Sequence, residues 1–126
     1  MGLQNTSHME QLLSLAAGDY TLSWADAGRA GYYATAYDIF FAGNRLNAAS
    51  YTTQAGQAWS RHSLDFTVSG AGELRFQGQY NIDGTAFIDD LVLTARAAQV
   101  PEPQSLALEA AALAGLLAAS GRKARA

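Results

Sequence analysis

Tyr20-Thr21-Leu22-Ser23-Trp24 decides the fold. Large apolar side chains alternate with small polar ones. Successive residues of a strand face opposite ways, so this period of two is a strand with one face buried and one wet. The same period returns in Ser63-Leu64-Asp65-Phe66-Thr67-Val68, with Leu64, Phe66 and Val68 inward, and in Leu74 and Phe76 within Glu73 to Gln77. Between the runs stand turn formers: Ala16-Ala17-Gly18-Asp19, Gly43-Asn44, Gly70-Ala71-Gly72 and Asn81-Ile82-Asp83-Gly84. Many short strands with such punctuation predict an all-β antiparallel sandwich.

Working outward, Gln11 to Leu15 is predicted as a strand, with Leu13 and Leu15 on one face. Ala25 to Gly31 is predicted as a loop and Tyr32 to Phe41 as a long aromatic strand. Gly43-Asn44 suits a hairpin turn with positive φ. Ala48 to Gly56 is polar and carries no clear pattern. Gln79 to Ala86 is predicted as a loop and Phe87 to Thr94 as the last strand. No helical period competes before residue 104.

Composition narrows the function. Residues 1–99 hold nine Asp and Glu against five Arg, a net charge of −4; the remainder holds three basic and two acidic residues, +1. A mildly acidic body without a basic cluster speaks against nucleic acid as a partner. There is no cysteine, which removes disulfides and thiolate metal sites. The two histidines, His8 and His62, lie far apart without metal-ligand spacing, and His62 and Ser63 face apart as strand neighbours. No glycine-rich phosphate loop precedes a helix. The expectation is a protein that is not an enzyme.

The final segment changes character. Val100-Pro101-Glu102-Pro103 reads as a stiff extended linker, since each proline fixes φ and pushes its predecessor to extended geometry. Leu106, Leu108, Leu113, Leu116 and Leu117 then lie among alanines, strong helix formers. Residues 106–120 as a helix span about 22 Å against a hydrocarbon core of roughly 30 Å. Glu109 adds a cost in lipid. Length and composition alone therefore leave two readings, a short membrane segment or a terminal helix packed on its own domain. Arg122, Lys123 and Arg125 follow, and cations just past an apolar helix favour a cytoplasmic C-terminus, with the body across the membrane.

Pro-Glu-Pro, a Leu-rich segment and a basic end, in that order, resemble the PEP-CTERM sorting tail of Gram-negative bacteria. The resemblance implies recognition by an exosortase-type processing enzyme, passage through the inner membrane as a transient anchor, and release to the cell surface or extracellular matrix. The many alanines and Glu109 depart from that pattern. The body, through Leu15 to Trp24, Trp59 with Leu64 to Val68, and Phe87-Ile88-Asp89-Asp90-Leu91-Val92-Leu93, resembles part of a galactose-binding-like jelly-roll, the β-sandwich of many carbohydrate-binding modules. The expected organisation is a sandwich over 1–97, a proline linker over 98–104 and a sorting helix with basic end over 105–126. Met1 to Glu10 has no basic and apolar leader, so a missing signal peptide and missing first strands are also expected.

The jelly-roll resemblance implies a polysaccharide ligand held by aromatic rings and polar groups, with Tyr33, Trp59, Arg61 and Tyr80 as candidates. Asp89 and Asp90 are adjacent on a strand, so one of them is expected to face inward. The resemblance implies that Asp90, with Asp83 and Asn81, would hold a structural calcium ion, a cation that takes several oxygen ligands. No other cofactor is expected. Alternatives are a matrix component without a ligand pocket and an ice-binding protein, because such tails also occur on ice-binding proteins; the body lacks the Thr-rich repeats of a flat ice face. A secreted hydrolase would need paired acid and base spacing that the sequence lacks.

Overall fold

The computed structural model describes residues 1–97, and the linker, apolar segment and basic end lie outside them. Nine strands form: β1 (Gly2–Gln4), β2 (His8–Leu13), β3 (Gly18–Gly28), β4 (Thr35–Phe41), β5 (Asn44–Arg45), β6 (Tyr51–Thr53), β7 (Ser60–Val68), β8 (Gly72–Gly78) and β9 (Thr85–Ala95). They pair antiparallel in two sheets. One has the order β1-β9-β3-β7; the other has β2-β8-β4, with β5 and β6 both on the far side of β4. There is no helix among the described residues.

The alternating runs become the two inner faces. In β3, Leu22 and Trp24 are buried; opposite them in β7 stand Leu64 and His62. From the other sheet come Tyr37, Ile39, Phe41 and Phe76, and Ile88, Leu3, Phe66 and Val68 complete the core. Trp24 is its centre. Tyr51 and Phe76 stand nearly perpendicular to the indole at 5.0 and 5.7 Å between centroids, the T-shaped arrangement that ring quadrupoles favour. Truncating a fully buried side chain such as Leu22 to Ala would cost about 2–5 kcal/mol.

Several boundaries depart from the sequence expectation. Strands β1 and the first half of β2 lie in Met1 to Glu10, a largely polar stretch without a strand pattern, because β1 needs just one buried side chain, Leu3. Leu15 lies beyond the end of β2. β3 runs on through Ala25, Asp26 and Ala27, expected to be loop, and all three are buried. Conversely Tyr32 and Tyr33 fall outside β4. The hairpin turn sits one residue earlier than expected: Ala42 and Gly43 carry φ of 50° and 81°, and Asn44 already pairs with Phe41. Positive φ at both central residues gives the twist that joins two antiparallel strands. β6 fills the patternless stretch through Tyr51.

Asp38 faces out of its sheet and yet is buried, under the crossover from β5 to β6. It accepts bonds from Arg45 at 3.0 Å, Asn47 Nδ2 at 2.9 Å and Ser50 Oγ at 2.7 Å. Asn47 Oδ1 in turn accepts the Ile39 N–H at 2.9 Å, so one carboxylate and one amide pin residues 46–50 to β4.

Candidate functional site

Four connections meet at one end of the sandwich: residues 5–7, 29–34, 54–59 and 79–84. Backbone hydrogen bonds stitch them together. Gly28 N donates to Gln57 O at 2.9 Å, Gly56 N to Arg29 O at 3.2 Å, Tyr33 N to Asp83 O at 3.1 Å and Asn5 N to Gly84 O at 3.3 Å. The close approach needs glycine. A Cβ on Gly28 would overlap the carbonyl oxygen of Gln54, and one on Gly84 would lie 2.6 Å from Tyr33 O. Loops tied in this way hold surface side chains in fixed places.

This end displays rings. Tyr33 is 67% exposed, Trp59 55% and Tyr80 48%. Three large rings are thus left in water on the connections at this end. Tyr32, beside Tyr33, is half-covered, and the Arg29 guanidinium lies 3.6 Å over its ring centroid. The structure therefore brings the candidates Tyr33, Trp59 and Tyr80 to one end. Arg61 lies within β7, on its outer face, where it opposes Ala25 and pairs with Asp90 at 2.7 Å.

Asp89 and Asp90 are both exposed, contrary to the expectation that one faces inward. The cause is a register shift. Ser23 opposes Val92 and Ala25 opposes Asp89, so Trp24 faces the pair Asp90-Leu91, a bulge in β9. Asp90 takes φ of 55° there, and its N–H bonds Asp89 Oδ1 at 2.8 Å. Its carboxylate is engaged by Arg61, while Asp83 accepts from Gln4 Nε2 at 3.1 Å before the start of β9. Among the described residues no three carboxylate or imidazole side chains gather as metal ligands. Neither is there a helix long and apolar enough to cross a membrane among them.

Beneath the displayed rings lies a polar network that the sequence did not reveal. Asp26 is fully buried. Its Oδ2 accepts from Tyr37 OH at 2.7 Å, and that hydroxyl accepts from Trp24 Nε1 at 2.8 Å. Its Oδ1 accepts from Gln57 Nε2 at 3.2 Å and lies 3.0 Å from His62 Nε2, off the line of a straight hydrogen bond. His62 stacks on Trp24 at 5.5 Å. Burial, then the bond to Asp26, push the Tyr37 hydroxyl far above its ordinary value. Burial likewise raises Tyr51. Gln57 ties the loop that leads to Trp59 directly to this network. With Asp26 read as loop, nothing in the sequence paired it with His62; only the register of β3 on β7 does so, by setting Ser60 opposite Asp26 and His62 opposite Trp24.

No protein-family model and no curated protein matches the sequence. Solved structures do resemble the fold. A sugar-binding protein, the EclA C-terminal domain, superposes with a TM-score of 0.59 at 18% identity, over 72% of this chain and 68% of that one. The fold is that of carbohydrate-binding modules. A family 35 carbohydrate-binding module from Clostridium thermocellum gives 0.53 at 14% identity, over 74% and 73%. TmCBM61, solved with β-1,4-galactotriose, gives 0.50 at 17% identity, over 75% and 69%. The two antiparallel sheets are the sandwich expected from the strand pattern, and jelly-roll-like as the sequence resemblance implies.

Proposed function

We propose that this chain is a non-enzymatic exported protein whose sandwich binds extracellular polysaccharide through its ring-bearing loop end, and whose tail sorts it to the surface. The observation that carries the binding reading is the display of Tyr33, Trp59 and Tyr80 on loops locked by backbone hydrogen bonds. A sugar offers one face of C–H groups and a rim of hydroxyls. Aromatic faces take the first, and neighbouring amides and backbone groups take the second. Preformed loops lower the ordering cost of binding. The likeness to sugar-binding modules supports the same reading.

Affinity electrophoresis through soluble polysaccharides tests it. The full-length protein is expected to be retarded, and Tyr33→Ala with Tyr80→Ala to lose at least tenfold in affinity. Equal mobility in every gel, with or without polysaccharide, would refute binding and leave a matrix component without a ligand.

Sorting rests on Pro101, Glu102 and Pro103 followed by the leucine segment and Arg122, Lys123 and Arg125. An exosortase-type enzyme would read the extended proline linker while the apolar segment holds the chain in the inner membrane. Replacing Pro101 and Pro103 by Ala should block processing and keep the protein membrane-bound. Unchanged processing would remove the sorting role.

A further inference from the structure

The outer face of the second sheet carries apolar side chains, Leu12 of β2 and Phe40 of β4. Phe40 of β4 takes no part in the core, and its cross-strand neighbours are Arg75 on one side and Arg45 on the other. The ring lines an open groove of about 360 Å³ together with Gly43, Glu73, Arg75 and Gln77. The polar groups around it are held in place. Arg75 donates to Glu10 at 2.7 Å and to Gln77 Oε1 at 3.3 Å, and its Nε lies 3.7 Å from Glu73. Gln77 Nε2 is fixed by Thr6 O at 2.7 Å. At Gly43 an added Cβ would meet nothing within 4 Å, so that wall of the groove is open.

We propose that this groove is a second carbohydrate site, which takes a neutral hexopyranose unit and makes the domain a bridge between two polysaccharide strands. The inference rests on the carbohydrate reading of the loop end. The Phe40 ring supplies the stacking face; Arg75, Gln77 and Glu73 supply fixed donors and acceptors for ring hydroxyls. The charge of Arg75 is already met by Glu10 and Glu73, and that of Arg45 by Asp38 at 3.0 Å, so a uronate would add an unmatched negative charge. Neutral sugars are therefore selected. The two sites are separate. Thr35 begins β4 at the loop end and Phe40 lies five residues on, about 17 Å along the strand. One sugar ring cannot reach both.

Calorimetry of the full-length protein with neutral oligosaccharides of galactose and of glucose, and with oligogalacturonate, decides the matter. Two sugar chains per protein are expected for a neutral ligand, and turbidity with the matching long polymer. Phe40→Ala should halve the stoichiometry and abolish turbidity while the loop site still binds. Gly43→Asn, which suits the positive φ of the turn and fills the open wall, should do the same with an unchanged melting temperature. A single site in the wild type, unaffected by either variant, would overturn the second site and leave the loop reading standing. Tighter binding of oligogalacturonate than of neutral sugars at the Phe40 site would overturn the selectivity. No binding of any sugar by the wild type would sink both readings together.

Discussion

The hydroxyl of Tyr37 donates to Asp26 Oδ2 at 2.7 Å, and the two residues belong to opposite sheets. The layers of the sandwich are thus joined by a directional contact in the interior. The same hydroxyl accepts from Trp24, so three side chains are mutually satisfied. A buried polar group left without its partner costs about 1–3 kcal/mol, more when charged.

Tyr37→Phe keeps the ring stacking and removes the bridge. It orphans the Trp24 N–H and one oxygen of Asp26 at once, and should lower unfolding free energy by about 3 kcal/mol. Urea denaturation measures this directly. A loss below about 1 kcal/mol would mean that water replaces the hydroxyl.

Alkaline titration has a definite sign. The folded Tyr37 ionises above its ordinary 10.0, so the fold favours the protonated form. Its contribution is full below about pH 10 and is lost as pH rises from there towards the folded value, because only the unfolded chain releases the proton in that window. Stability should fall above pH 10, and Tyr37→Phe should flatten that slope. Melting temperature against pH, read with tyrosinate absorbance, tests both.

Gly28→Ala and Gly70→Ala form a matched pair. At Gly28 a methyl collides with the Gln54 carbonyl; at Gly70 it meets nothing, and φ there is not positive. Gly28→Ala should cost about 2 kcal/mol or more through backbone displacement and weaken sugar binding through the loop that carries Trp59. Gly70→Ala should be neutral or slightly stabilising.

Arg61→Ala should cost less than about 1 kcal/mol, because its bond to Asp90 is mostly in water. It should also leave sugar affinity at the loop end unchanged within twofold. Thermal melts and the same retardation gels test this, and a tenfold loss would move Arg61 into the site.

The sandwich was legible because burial on one face of a strand writes itself as a period of two, as in Tyr20 to Trp24 and Leu64 to Val68. Its failures share a cause. Ala25, Asp26 and Ala27 break the pattern because Asp26 replaces an apolar side chain on the inner face and is satisfied by Tyr37 and Gln57 from elsewhere in the chain. Local sequence holds no trace of such partners. The same holds for the bulge at Asp90, which needs the register of β9 on β3. Tyr33, Trp59 and Tyr80 were candidates by their position at strand ends and in loops, and they do share one end, but their exposure was not legible, since alternation must bury some rings. Arg61 was chosen for closeness in sequence to Trp59; in the fold its guanidinium is engaged by Asp90, a partner set by the register of β9 on β3 and β7. Phe40 was hidden among Ile39 and Phe41, since an outward ring between two inward ones reads as one apolar run.

One further consequence follows from the place of β9 between β1 and β3. Leu3 pairs with Ala86, and Tyr20 with Ala95. Such distant pairings make for slow folding, because long loops must close before the contacts reward them. A nascent chain that has made β1 to β8 still lacks the strand that joins its first residues to its centre. The sandwich can shut only once β9 has been made, so its two sheets assemble late, after nearly all of the body has been synthesised.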